Sequence, residues 1–365
     1  MSSSRVGEII FGNGCRNNLT GLLKAGNSLL ICGKHSETML RDEVVPQIQS
    51  VSDKVVLAVV SPEIPLAEVK SIAFTAREIN ARNIIGWGGG SAMDAAKAVS
   101  AVCCAPEKCE DFFYSRETPS LRDNNLILVT TTAGTGAEVT PNAVLLDTAT
   151  GIKQSLRAPG MFADAALIDP ELLYDAPHTV IANGAFDALT QALEGYVSNK
   201  ATAYTRQLSL AAAALILPAI LPGCSGDKEA LTALSRGTML GAMAFVESGL
   251  GAVHGIAHPL GSVLHLGHGL CCGILLDKIM EFNCERMPEL FDELARGLNF
   301  TDAGEMINHI RWVRRGADLP DSLAQYGFEK KDFDFIIANC RSGSMKCNPV
   351  YMTDSDVCGI LEKLL

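Results

Sequence analysis

Across its first half the sequence alternates short β-branched runs with helical patterns, and past residue 177 that alternation stops. The runs SLLIC (28–32), KVVLAVV (54–60), NIIGW (83–87) and NLILV (125–129) are apolar after their first residues. Continuous apolarity marks strands buried on both faces, hence a parallel sheet covered on both sides by helices. Helical patterns over 66–80 and 92–102 supply that cover. Beyond Pro177, segments 181–197, 203–220 and 228–246 are rich in Ala and Leu with helical periodicity. The sequence therefore predicts an α/β domain over 1–177 with a Rossmann-like parallel sheet, followed by an all-α domain over 178–365. A chain of 365 residues exceeds the size of one ordinary hydrophobic core, which also argues for two.

Composition excludes several partners. A formal net charge of −11, with no basic tail to offset it, repels phosphate backbones and anionic membrane surfaces. No nucleic acid and no membrane are expected. The most apolar stretch, 208–221, is broken by Pro218 and falls short of the roughly 20 residues of a membrane span, so it reads as a core helix. The opening MSSSRVGEII lacks the pattern of a signal peptide, and the 12 cysteines then belong to a reducing cytoplasm as buried thiols. Cys103–Cys104 and Cys271–Cys272 are adjacent, which is poor geometry for sharing one metal ion.

Two loops carry the grammar of nucleotide binding. After the 83–87 run comes GGGSAMDAAK (88–97), three glycines and a serine ahead of a strongly helical stretch. Glycines let the backbone approach a pyrophosphate, and the helix N-terminus stabilises its charge. Ser91 is expected to cap that helix. TTTAGTGAEVT (130–140) follows the next strand and offers hydroxyls to a ribose or phosphate. Each loop alone also reads as an ordinary turn satisfied by its own side chains.

Chemistry concentrates further on. His254, His258, His265 and His268 fall within 15 residues, in VHGIAHPLGSVLHLGHG (253–269). His254 and His258 lie one helical turn apart, and His268 is expected in a loop folding back on that helix. Imidazoles so placed suit a divalent metal or proton transfer. Upstream, DALTQALE (187–194) sets Asp187 and Gln191 on one face of an apolar helix, where a carboxylate needs a partner.

Together GGGSAMDAAK, TTAGTGAEVT, Asp169-Pro-Glu-Leu, GAFDALTQALEGYVS and GAVHGIAHPLGSVLHLGHG resemble the iron-containing (group III) alcohol dehydrogenase family, in order from about residue 9 to Asn348-Pro349. The resemblance implies a dehydroquinate synthase-like architecture and hydride transfer between NAD(P) and a small alcohol or aldehyde. It further implies Fe²⁺ or Zn²⁺ held by Asp187, His254, His268 and the residue at 191, where the family has histidine and this chain has Gln191. An amide oxygen is a weaker, harder ligand than imidazole, so three outcomes follow: a metal on three strong ligands plus Gln191 or water, a shift of metal, or a metal-free site. The first is favoured. His258 is the expected acid/base, with Asp94 beside it as a candidate catalytic residue.

By the same resemblance, Gly89, Gly90 and Ser91 meet the pyrophosphate, and Thr131, Thr132, Thr135 and Lys153 surround the cofactor. Lys34 and Ser36, where NAD-preferring relatives carry an aspartate, favour NADPH over NADH. Arg157, Arg341 and Lys346 are available to an anionic substrate. A homodimer is expected. The rival readings are a metal-independent reductase, a sugar-phosphate cyclase-type lyase and a binding protein without turnover.

Overall fold

The computed structural model describes residues 5–158 and 160–365, so the opening residues 1–4, part of the segment read above for a leader, lie outside the described residues. The chain divides into two compact units, residues 1–132 with 136–173, and residues 133–135 with 174–365.

The first unit is built on six parallel strands: β1 (Glu8–Phe11), β2 (Asn27–Gly33), β3 (Val55–Val60), β4 (Ala81–Gly88), β5 (Asn125–Thr130) and β8 (Ala165–Ile168). A separate antiparallel hairpin pairs β6 (Asn142–Asp147) with β7 (Ile152–Arg157). In space the order is β1-β8-β5-β4-β2-β3. Successive residues serve opposite faces, and both faces are dry. Leu29, Ile31, Ile84, Leu126 and Leu128 pack on one side with helices α1 (Leu66–Glu78) and α2 (Gly90–Val102). Leu30, Cys32, Ile85, Trp87, Ile127 and Val129 pack on the other with Leu19, Leu40 and Ile48. Each such side chain contributes roughly 1.5–3 kcal/mol through burial, which is why the strands read as unbroken apolar runs.

The order places a switch between β2 and β4: the chain runs from β2 outward to β3, then returns to β4 and proceeds the other way through β5. Open α/β sheets bind ligands at the carboxyl ends of strands at such a point. Gly88 ends β4 with φ +150, a conformation reserved to glycine, and a Cβ there would lie 2.9 Å from Ala92. The helix that follows starts at Gly90 with Gly89 as its N-cap. Ser91 is therefore not the cap expected from sequence; inside the first turn, its hydroxyl donates to the Pro62 carbonyl at 2.6 Å. The edge strand β1 and its neighbour β8, at four residues each, and the hairpin were not foreseen. Asp169, directly after β8, is fully buried and accepts from Gly14 N at 3.0 Å and Arg16 N at 3.2 Å, pinning the segment behind β1.

Within the TTTAGTGAEVT loop, burial pushes the Glu138 carboxyl up to about 7, and its Oε2 accepts no hydrogen bond. Below the ordinary carboxylate range both folded and unfolded chains are protonated. As pH rises toward 7 only the unfolded chain ionises, so stability falls, by up to ~3 kcal/mol once pH passes the folded value. Glu138→Gln is expected to remove this loss. Its melting temperature should match the parent near pH 4.5 and exceed it above pH 7.5; equal melting curves at both pH values would refute the assignment.

The second unit is helical, as the sequence predicts. Helices α3 (His178–Val197), α4 (Ala203–Cys224), α5 (Lys228–Ser248), α6 (Ala252–Leu264) and α7 (His268–Cys284) form its core, and shorter helices follow to Asp354–Glu362. Thr202 and Asp227 accept from Thr205 N and Ala230 N, setting the starts of α4 and α5. Two expectations are corrected. α4 continues through Pro218 and Pro222 for 22 residues, because packing against α3 and α5 outweighs the lost backbone bonds. By length and composition it is the one single helix among the described residues able to cross a membrane. His268 opens α7 instead of lying in a loop.

Candidate functional site

The helical unit gathers its polar groups along α3. Asp187, Gln191 and Glu194, spaced by four and three residues, share one face of a helix buried on all sides. Glu194 accepts from the backbone N–H of Gly251 at 2.9 Å and of Val253 at 2.6 Å. These groups open α6, whose positive end stabilises a carboxylate. Asn348 helps, accepting from Ala252 N at 3.2 Å.

The same Glu194 takes a hydrogen bond from His254 Nδ1 at 2.6 Å. That fixes the tautomer of a neutral ring, leaving a bare Nε2 lone pair 3.3 Å from Asp187 Oδ1. Two acceptors at that spacing require a cation or a proton between them. From α7, His268 Nε2 reaches the same Asp187 oxygen at 3.7 Å, and Cys272, one turn later, sets its Sγ 3.5 Å from His268 Nε2. One donor atom each from Asp187, His254, His268 and Cys272 all lie within 4.8 Å of one another. Gln191 hydrogen-bonds Asp187, and its Oε1 is buried and accepts no hydrogen bond.

Burial opposes charge on each of these groups, yet the cluster overrides it. Asp187 is held below the usual carboxylate range by His268, His254 and Gln191. His254 is held well above the imidazole range by Cys272, Glu194 and Asp187, and His268 is raised by Cys272 and Asp187. The Cys272 thiol is lowered by His268 and His254. A pocket that draws protons onto its imidazoles in this way fits a divalent cation, and a carboxylate, two imidazoles and a thiol are suitable donors.

Of the residues expected at the metal, the structure brings together Asp187, His254 and His268, with Gln191 behind Asp187. His258, exposed and one turn along α6 from His254, stacks on His268 with centroids 4.8 Å apart. Sequence reasoning missed Glu194 and Cys272. Cys272 is the buried, reduced thiol expected from sequence and also lies among these donors; its spacing of four from His268 was the available signal. His178 and His265 are not among the gathered donors: His178 lies 3.8 Å from Asp318, and His265 ends α6 in a left-handed conformation.

In the first unit, Gly89, Gly90, Ser91, Thr131 and Thr132 lie at the carboxyl ends of β4 and β5. Thr131 N donates to Gly88 O at 3.0 Å, and a Cβ on Gly89 would lie 3.3 Å from Thr132. Lys34 and Ser36 follow β2, but Glu37 comes next and holds Lys34 at 2.8 Å and Arg41 at 3.0 Å. Asp94 is engaged within α2 and the hairpin, paired with Lys97 at 2.8 Å and accepting from Val144 N at 2.9 Å. Lys153, on β7, pairs with Glu63 at 2.7 Å. Thr135 belongs to the other unit. Arg157 ends β7, whereas Arg341 and Lys346 line one cavity of about 380 Å³ in the helical unit. Arg341 donates to Met352 O at 2.6 Å and pairs with Asp354.

Glu194→Gln tests the tautomer argument. An amide that keeps its oxygen on Val253 N sets its NH2 where Oε2 accepted from both Gly251 N and His254 Nδ1, so the Gly251 bond is lost and an N–H is offered to Nδ1, which turns the ring's own proton toward Asp187. Metal affinity is expected to fall roughly 10–100-fold with folding intact; unchanged affinity in a metal titration would sink the argument.

Comparison with known proteins gives concordant results. Residues 7–170 match the family model "Iron-containing alcohol dehydrogenase", and residues 181–365 match "Fe-containing alcohol dehydrogenase family, C-terminal". An NADPH-dependent butanol dehydrogenase of Clostridium saccharobutylicum is 30% identical over 337 residues, covering 89% of this chain and 87% of that protein. A lactaldehyde reductase of Escherichia coli is 30% identical over 339 residues, covering 88% of each. The solved structure of an alcohol dehydrogenase from Oenococcus oeni superposes with a TM-score of 0.90 at 27% identity, covering 99% of both chains.

Proposed function

The chain belongs to the iron-containing alcohol dehydrogenase family, and from that premise we propose that it interconverts a small alcohol and its aldehyde using a nicotinamide cofactor and a divalent metal. The observation that carries the reading is the convergence of Asp187, His254 and His268 in one buried cluster. When bound, the metal, iron or zinc, polarises the substrate oxygen and the nicotinamide exchanges hydride with the adjacent carbon. The protein's part is positional. Asp187 and the two imidazoles hold the cation, Glu194 keeps His254 in the tautomer that presents Nε2, and exposed His258 exchanges the proton at its ring nitrogen. Gly89, Gly90 and Ser91 cradle the pyrophosphate at the start of α2, with Thr131 and Thr132 alongside.

NADPH is the proposed reductant: Lys34 and Ser36 follow β2, and the exposed Lys34, paired with Glu37, offers an ammonium group to a 2′-phosphate. The substrate panel includes acidic aldehydes, since Lys346 offers a cation beside Arg341. A homodimer in a reducing cytoplasm is proposed as its state, in keeping with 12 free cysteines.

The test is metal analysis of purified protein together with NADPH and NADH oxidation on short aldehydes, before and after chelation and in Gln191→His. Turnover lost on chelation and restored by metal is expected, with higher kcat/KM for NADPH. Full turnover in metal-free protein would refute the metal's role, and product formed with no net change in nicotinamide absorbance would point to a lyase.

A further inference from the structure

Position 191 carries an amide where an imidazole would complete a set of three histidines, and the cluster nevertheless contains a fourth strong donor. Cys272 is fully buried, sits one turn along α7 from His268 and faces the imidazoles of His268 and His254. Around a tetrahedral ion with N and O ligands at ~2.0–2.1 Å and sulfur at ~2.3 Å, N···O edges measure about 3.3 Å and S···N edges about 3.6 Å. The cluster shows 3.3 Å for His254 Nε2 to Asp187 Oδ1, 3.7 Å for His268 Nε2 to Asp187 Oδ1 and 3.5 Å for Cys272 Sγ to His268 Nε2. These three separations match edges of such a tetrahedron, and every other pair of these donor atoms lies within 4.8 Å. Gln191 has another task there, since its side chain hydrogen-bonds Asp187 and so steadies that ligand.

We propose that the Cys272 thiolate is a ligand of the metal centre, taking the place that position 191 does not fill, and that the resulting Asp-His-His-Cys set selects zinc over iron. The inference rests on the metal-assisted reading above and specifies the site's donors. Charge supports it. A carboxylate and a thiolate neutralise a dication in a site where Asp187, His254 and Cys272 are all buried, and the Glu194 carboxylate behind His254 is met by the N–H groups that open α6. Softness supports it as well, because thiolate ligation favours zinc among the ions such sites meet. On binding, the thiol proton passes to solvent and sulfur donates its lone pair to the ion, with no change of oxidation state.

The test uses the full chain with its thiols reduced, loaded with Co²⁺ as a spectroscopic substitute for zinc. The expected result is an intense near-ultraviolet sulfur-to-cobalt charge-transfer band that disappears in Cys272→Ser and persists in Cys271→Ser. Zinc affinity should fall tenfold or more in Cys272→Ser, and the double variant Gln191→His/Cys272→Ser should recover it without recovering the band. In competition, the parent should take zinc over Fe²⁺ and the double variant should lose that bias. Stoichiometric cobalt uptake with no such band, or a band that survives Cys272→Ser, overturns the thiolate assignment while leaving the metal-assisted reading intact. Failure to take up cobalt, zinc or iron at all overturns both. The parent's spectrum decides the matter even where a variant fails to fold.

Discussion

Asp187→Asn is expected to leave the protein folded, to reduce bound metal to trace levels and to lower kcat/KM by about 10³-fold or more. The change is nearly isosteric, so the apolar packing of α3 persists. What changes is the sign of the group that His254 and His268 share. Asp187 Oδ1 stands 3.3 Å from His254 Nε2 and 3.7 Å from His268 Nε2, the meeting point of the cluster. An amide there removes a charge and is free to turn an N–H donor toward nitrogens that must keep their lone pairs for an ion. A loss of 10³ corresponds to about 4 kcal/mol of transition-state stabilisation, within reach of removing a Lewis acid from a carbonyl reduction. Metal content and steady-state kinetics check it together. Activity within tenfold of the parent in a protein free of metal would show that the cluster is not where the reaction is assisted.

Gly269→Ala should be the most damaging change of a single methyl group in the helical unit. A Cβ at this position would lie 2.1 Å from the carbonyl oxygen of Asn183 and 2.6 Å from its carbon, both backbone atoms of α3 that no rotamer change can move aside. The helices must separate. A destabilisation of about 3 kcal/mol, or roughly 6–12 °C in melting temperature for a unit of this size, is expected. Because Gly269 adjoins His268, the same displacement carries that imidazole away from Asp187, so metal affinity should fall along with stability. Gly267→Ala is the matched control: a Cβ there meets nothing within 4 Å, and the change should cost only a few tenths of a kcal/mol. Equal melting temperatures for the two variants would show that α3 and α7 are not held at this separation.

Much of this was legible in the sequence where one physical requirement dominates. The central strands came out within about two residues of their observed ends, because burial on both faces demands apolar side chains through the middle of β2, β4 and β5. β1 and β8 escaped notice because four residues carry too little pattern, and the hairpin because β7 is largely polar. The helical segment read over 203–220 runs on to Cys224 as α4; the neighbouring helices hold it together across Pro218 and Pro222, and packing partners are invisible in a linear pattern. Asp187, His254 and His268 were legible as chemistry that an apolar helix does not otherwise tolerate. Glu194 was given no role beyond closing DALTQALE, and Cys272 was hidden by its neighbour Cys271, since a pair of adjacent thiols draws attention away from the residue one turn upstream.

The four converging donors enter from three different helices, α3, α6 and α7, and span residues 187 to 272. An ion gripped by all of them acts as a cross-link between segments far apart in the chain, reversible where a disulfide is not. Its hold on the native fold grows with the free ion concentration, reaching about 4 kcal/mol at a thousandfold excess over the dissociation constant. Supply of the ion therefore sets how fast the molecule works and adds to how long it survives: a cell short of it would lose activity first, in a chain left folded with a smaller margin of stability.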